Sequence, residues 1–256
     1  MWAADGWEVH TRVGILTPHA DVGPESEFRA MAPQTVGVHA ARVPFGAMRS
    51  GGTMDPTIPL APVAAFVAPP DIDDAVRMLA DAPIAAIGIA FTSSSYVTGV
   101  EGEKDVVDRL SHRSAGKPVV ATCAAAAEGF RRLGVRKLAL IDPPWFDGDL
   151  NRLGADYFSS QGFEVVFHAP CGLPSNQKSI NPAELHEWVL AHTPDVADAV
   201  FIGGNGFRSV GVIAALEEDL ARPVLTANQA LFWGMLQAIG ARVTPQGYGS
   251  IFAVED

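Results

Sequence analysis

Apolar positions along this chain follow two periods. Nearly unbroken apolar runs at residues 12–16, 36–42, 85–90, 118–121, 137–141, 164–168, 199–202 and 223–226 predict strands of a sheet covered on both faces. Between them the spacing turns helical. Ile72, Val76 and Leu79 follow Pro69 and Pro70, and the stripe Cys123, Ala126, Phe130 and Leu133 stops at Gly134. Leu185, Trp188 and Val189 follow the start signal Asn181-Pro182, and Ile213, Leu216 and Leu220 form the next stripe. Leu231, Met235 and Ile239 form the last, ended by Gly240. Asn before Pro opens helices and Gly closes them. Strands alternating with helices predict a parallel α/β fold. One segment, 43–70, is rich in Gly, Pro and Met and has no period; a lid over a site and a wandering connection fit it equally.

A faint internal repeat refines the picture. Lys117-Pro118-Val119-Val120 is followed by Gly129 and then Leu133-Gly134-Val135-Arg136, while Arg222-Pro223-Val224-Leu225 is followed at the same offset by Gly234 and then Ile239-Gly240-Ala241-Arg242. Upstream, Ala86-Ile87-Gly88-Ile89-Ala90 parallels Ala199-Val200-Phe201-Ile202-Gly203, and Val13-Gly14-Ile15-Leu16-Thr17-Pro18 parallels Leu138-Ala139-Leu140-Ile141-Asp142-Pro143. Three matches in the same order predict a duplicated unit. The expected lobes are 12–116 plus 227–256, and 117–226. Parallel sheets bind ligands beyond the carboxyl ends of their strands, so the turns at Phe91–Tyr96 and Gly203–Arg208 should face one cleft. Loops at Pro18–Asp21 and Pro143–Phe146 should complete its rim.

Charge and composition narrow the function. The net charge is −11, which disfavours nucleic acid and anionic membrane as partners. No apolar run reaches the length of a membrane span, and the first eight residues lack the cationic start and apolar stretch of a secretory signal. Cys123 and Cys171 lie far apart without metal-ligand spacing, and the seven His residues form no metal motif. These features predict a cytoplasmic protein with free buried thiols and no metal.

The paired turns carry the candidate chemistry. Thr92-Ser93-Ser94-Ser95-Tyr96 offers hydroxyls at a helix start, and Gly203-Gly204-Asn205-Gly206 offers backbone N–H groups and an amide. Together they could hold a carboxylate, or the enediolate-like anion formed when a C–H or C–CO₂⁻ bond breaks beside one. His19 and Asp21 follow the first strand, where an acid or base is useful; a turn residue and a helix cap explain them as well. Tyr96 could donate a proton or pack in the core. Arg208 could clamp a carboxylate or make a surface ion pair. Neither turn matches a nucleotide-binding glycine motif.

At these same loops the sequence resembles the aspartate/glutamate racemase superfamily, in particular its maleate cis-trans isomerase and arylmalonate decarboxylase branch. The resemblance rests on Gly14-Ile15-Leu16-Thr17-Pro18, Thr92-Ser93, Lys117-Pro118-Val119, Gly203-Gly204-Asn205-Gly206-Phe207-Arg208, and the run from Arg222 to Trp233. It implies two Rossmann-like lobes with parallel four-stranded sheets related by a pseudo-twofold axis. It also implies a cofactor-independent isomerase or lyase acting on a small carboxylate or dicarboxylate, and allows a homodimer. The resemblance carries over a carboxylate-binding frame of Thr92, Ser93 and the backbone around Gly204–Gly206; Pro18, Ser94, Asn205, Arg208 and Trp145 complete the substrate-binding candidates, and His19, Asp21 and Tyr96 are the catalytic ones. The chain departs from the branch at its two cysteine positions, which fall on Phe91 and Gly204. The branch's early-loop Asn falls near Asp21 and its rim Tyr near Trp145. A carboxylate-sensing protein derived from such an enzyme, and a hydrolase or hydratase using a Ser of the 93–95 run, are the alternatives.

Overall fold

All eight apolar runs form strands, and each pairs in parallel. The computed structural model describes residue 3 and residues 5–253; the remainder of the N-terminal stretch read for a signal lies outside them. In chain order the first unit contains β1 (Thr11–Pro18), α1 (Gly23–Met31), β2 (Val36–Val43), β3 (Met48–Arg49), β4 (Thr53–Met54), α2 (Leu60–Phe66), α3 (Asp71–Ala80), β5 (Ala86–Ile89), α4 (Thr92–Ser111) and β6 (Val119–Ala121). After α5 (Thr122–Arg132) the second contains β7 (Lys137–Asp142), α6 (Gly148–Ser160), β8 (Glu164–Pro170), α7 (Pro182–His192), β9 (Ala199–Ile202), α8 (Ile213–Leu220) and β10 (Val224–Thr226), followed by α9 (Ala227–Ala238).

The strand orders reveal the duplication. One four-stranded sheet runs β2-β1-β5-β6 and the other β8-β7-β9-β10, so each strand has a counterpart at the same place. The basic-Pro-Val motif opens the last strand of each sheet. This corrects the expected boundary. Val119–Ala121 pairs with β5 in the first sheet, so the first lobe's sheet extends beyond residue 116, and the motif taken to start the second lobe closes the first.

The helices after these last strands cross over. α9 lies on the first sheet, where Gly88 leaves room for Met235 and Leu231; a Cβ there would sit 2.6 Å from Met235 Sδ. α5 lies on the second, where Phe130 meets Phe201 edge-on at 6.0 Å. Pseudo-symmetric exchange follows from the repeat, because each last strand delivers its helix in the same relative direction. One continuous apolar core results. Among the described residues no helix is long and apolar enough to cross a membrane.

The aperiodic segment is structured. β3 and β4 pair as a small antiparallel hairpin, and Phe66 of α2 stacks on Phe91 with ring centroids 3.9 Å apart. Ile58 N–H donates to the Trp145 carbonyl (2.9 Å) and Ser175 Oγ to the Pro56 carbonyl (2.6 Å). The segment is thereby fastened to loops of the second lobe, above the strand ends.

Candidate functional site

The two turns meet. Asn205, just past β9, accepts on Oδ1 from the Thr92 N–H and the Thr92 hydroxyl, both at 2.7 Å, and Gly204 N–H donates to Thr92 Oγ1 (3.2 Å). The lobes are therefore joined across their strand ends by hydrogen bonds between the first residue of α4 and the turn after β9. Both side chains are buried.

Beside this junction lies an inner cavity of about 30 Å³, room for one or two waters. Pro18, Asp21, Thr92, Ser93, Trp145, Gly204, Asn205 and Gly206 line it, so eight of the candidates from the sequence share one space. Phe45, Met48, Met54, Ile58, Phe146 and Gln177 form the remaining polar and apolar wall with Ala90 and Phe91. Phe91 and Phe146 belong to the segments expected at the cleft and its rim, whereas sequence reasoning missed the others; the methionines sit on strands too short to show a period, and Gln177 lies in a loop without a signal.

Asp21 is the sole ionisable side chain in that lining. It is buried, and desolvation pushes its carboxyl above the usual range. The Gly23 N–H, which donates to Oδ1 at 2.8 Å, the Gln177 amide and the Arg42 charge pull it partly back. Gly206 passes so close that a Cβ would stand 2.8 Å from Asp21 Oδ2 and run into the Gln177 amide. Glycine is required there to let the carboxylate and the amide meet. Ser93 Oγ has no hydrogen-bond partner among the described residues and lines the cavity. The N–H of Ser93 belongs to the first turn of α4, where the Thr92 N–H is taken by the Asn205 amide and the Ser94 N–H by the Phe91 carbonyl, while the N-cap residue Phe91 offers no side-chain acceptor.

A buried polar string stands behind the cavity. Asn205 Nδ2 donates to Asn228 Oδ1 (2.8 Å), and Asn228 Nδ2 donates to Glu27 Oε2 (2.7 Å) and to the Asn205 carbonyl (2.8 Å). Glu27 Oε1 accepts from Ser209 N–H (2.6 Å) and Val210 N–H (3.1 Å). Burial pushes the Glu27 carboxyl up to about 7, while the Asn228 amide and the two N–H groups oppose that rise. Asn228 lies within the longest stretch that carries the resemblance; Glu27 gave no signal, since an acid on a short amphipathic helix reads as solvent-facing.

The other candidates lie elsewhere. His19 and Arg208 are exposed and line an outer cavity of about 920 Å³. Phe45 N–H donates to His19 Nδ1 (3.2 Å). Tyr96 and Ser94 line neither cavity. The Tyr96 hydroxyl donates to Asp142 Oδ1 (3.1 Å), its ring lies against Gly154 of α6, and burial drives its phenol well above the ordinary value. Ser94 Oγ donates to the Phe91 carbonyl (2.8 Å). Each has a structural partner in place of the cavity. Asp142, which also accepts from Asn151 (2.8 Å), is pushed up to about 7 by burial.

The branch's cysteine positions are filled or sealed. Phe91 points its ring into the aromatic stack with Phe66 and Phe45. Gly204 has φ +81°, and a Cβ there would lie 2.7 Å from Pro143 Cγ. Cys123 is buried, with its thiol 3.7 Å from the Thr92 carbonyl and pushed well up by desolvation; Cys171 is also buried and pushed up to about 11. Neither lines the inner cavity. No group of three or more His, Cys, Asp or Glu among the described residues is placed to hold a metal.

Fold and site together define a class: a duplicated, two-lobed parallel α/β protein with a hydroxyl- and amide-lined cavity closed between its strand ends. The arylmalonate decarboxylase family model matches residues 69–252, and the chain belongs to that family, within the maleate isomerase and arylmalonate decarboxylase branch. The family supports an isomerase or decarboxylase activity. Maleate isomerase from Pseudomonas putida KT2440 is 23% identical over 249 residues, covering 94% of this chain and 97% of the relative. The solved structure of a maleate isomerase variant from Pseudomonas putida S16 with maleate superposes with a TM-score of 0.84 at 22% identity, covering 95% and 98% of the two chains. A Nocardia farcinica maleate cis-trans isomerase mutant, solved with a covalently bound succinylcysteine intermediate, gives 0.81 at 20% identity, covering 96% and 99%. These structures share the fold.

Proposed function

We propose that this protein is a cofactor-independent decarboxylase or isomerase of carboxylic acids, with decarboxylation as the favoured chemistry. The observation that carries this reading is the single carboxyl in the inner cavity, Asp21, lined up in one space with the unpartnered Ser93 hydroxyl and the first turn of α4. In the proposed step the C–CO₂⁻ bond of the bound acid breaks and CO₂ leaves. The electron pair passes into the remaining carboxyl as an enediolate, whose charge the Ser93 hydroxyl and N–H stabilise. Asp21, whose carboxyl burial makes a weaker acid, delivers its proton to the carbon. His19 would serve proton exchange with solvent from the outer cavity.

Cis-trans isomerisation through a thiol adduct, the chemistry in the Nocardia protein's covalent intermediate, fits this chain less well. Phe91 stands at one cysteine position, and the other has no space for a Cβ. A seryl hydrolase also fits less well, because Ser94 and Ser95 are hydrogen-bonded to Phe91 and Glu103 and, among the described residues, no histidine lines the inner cavity with Ser93.

Purified protein incubated with phenylmalonate in D₂O is expected to release CO₂ and give an α-deuterated monoacid. Thermal stabilisation by the acid with neither CO₂ nor deuterium incorporation would instead support the non-catalytic carboxylate-sensing reading.

A further inference from the structure

The inner cavity, at about 30 Å³, holds little beyond the reacting carboxyl, whereas the outer cavity, at about 920 Å³, is the size of a complete small-molecule site. Gln177 and Gly206 line both, so the Gln177 side chain bonded to Asp21 stands between them.

The outer walls have a definite chemistry. Ala20, Val22, Ala30 and Val210 supply apolar wall. Arg208 stands in the lining with no hydrogen bond or ion pair among the described residues. Lys178 stands in the same lining and donates one hydrogen bond to the Gly51 carbonyl (3.1 Å). Among the described residues the only carboxyl in that wall, Glu27, has both oxygens taken by Ser209, Val210 and Asn228. In a chain of net charge −11, two cations facing an unfilled space without a free acid partner are set to receive an anion.

We propose that the outer cavity is a subsite for the far end of an elongated substituted malonate: the malonyl head beside Asp21, with the Gln177 side chain swung aside to join the two spaces, a hydrocarbon body along the apolar wall, and a distal carboxylate on Arg208. The inference rests on the catalytic reading above for which end reacts, and adds the substrate class.

Titration calorimetry with α,ω-dicarboxylates from four to twelve carbons, each matched to a monocarboxylate of equal length, tests it. The longer diacids are expected to bind about tenfold tighter than their monoacid partners, and the advantage should shrink as salt is raised. In Arg208→Ala and in Lys178→Ala the diacid-to-monoacid ratio should fall, to within twofold for Arg208→Ala. Equal binding of diacids and monoacids by the unmodified protein, or a ratio untouched in Arg208→Ala, overturns the subsite. The readout is binding alone: selective binding of long diacids by a protein that releases no CO₂ from phenylmalonate leaves the subsite standing and counts against the catalytic reading. Turnover without length or charge preference does the reverse.

Discussion

Asp21 shows how much one position can decide. As an acid it must carry its proton, and burial raises its pKa above the ordinary carboxylate range. Turnover should therefore hold to a higher pH than a solvent-exposed carboxyl would allow, and fall as pH rises through that shifted value. Asp21→Asn is expected to lower kcat/KM by about 10²–10⁴ and to remove that limb of the profile; unchanged rates in the variant would exclude the role. Gly204 makes the complementary point. Gly204→Cys should not restore thiol chemistry, because its left-handed backbone and the Pro143 ring leave the side chain no place. A loss of about 1–3 kcal/mol in chemical denaturation is expected, and a folded variant of unchanged stability with a titratable thiol in the cavity would contradict it. At this scale the sequence was legible where a residue ends a strand or opens a helix: Pro18, Asp21, Thr92, Ser93, Asn205. It was not legible a turn further on. Tyr96 lies about 6 Å along α4 from Thr92, far enough to leave the cavity and meet α6 and Asp142.

Elements were read more securely than their grouping. Every strand with an apolar run of four or more was legible, because burial on both faces of a sheet writes itself as continuous hydrophobicity. β3 and β4 were not, being two residues each. The lobe boundary slipped because a repeat fixes the spacing of equivalent elements without saying which sheet they join. That pairing appears only in space, where Ile87 aligns with Val119. The packing of α9 on β5 gives a direct test. Gly88→Val would drive methyls into Met235 and Leu231, and overpacking of this kind costs about 1–3 kcal/mol. Denaturant midpoints should fall accordingly, with Ala tolerated better than Val; equal stability of all three proteins would mean that the helix does not sit there.

For the whole molecule, the buried acids link stability to pH. Asp142 and Glu27 are both pushed up to about 7 by burial, so the native state holds their protons more tightly than the unfolded chain does. The stability they contribute is fully present below pH 4 and is lost as pH rises towards 7, by on the order of 1 kcal/mol per pH unit for each group. Melting temperatures across that window should decline, and Asp142→Asn should flatten the slope; an identical slope in the variant would mean that Asp142 does not titrate there. The opposite sign would be expected of surface carboxylates in ion pairs, which is why the slope rather than the absolute value is informative.

The exchanged helices bear on traffic as well as on strength. With α5 and α9 each clasped by the opposite half, the protein resembles two interlaced hands more than a book on a spine. A clamshell motion would have to tear out packed apolar faces. Ligands must then come and go through something smaller: the methionine hairpin and the Gln177 turn, held by a few hydrogen bonds above a rigid floor. In such a molecule the pace of catalysis would be set at the doorway, and changes to the floor would be felt as stability long before they were felt as speed.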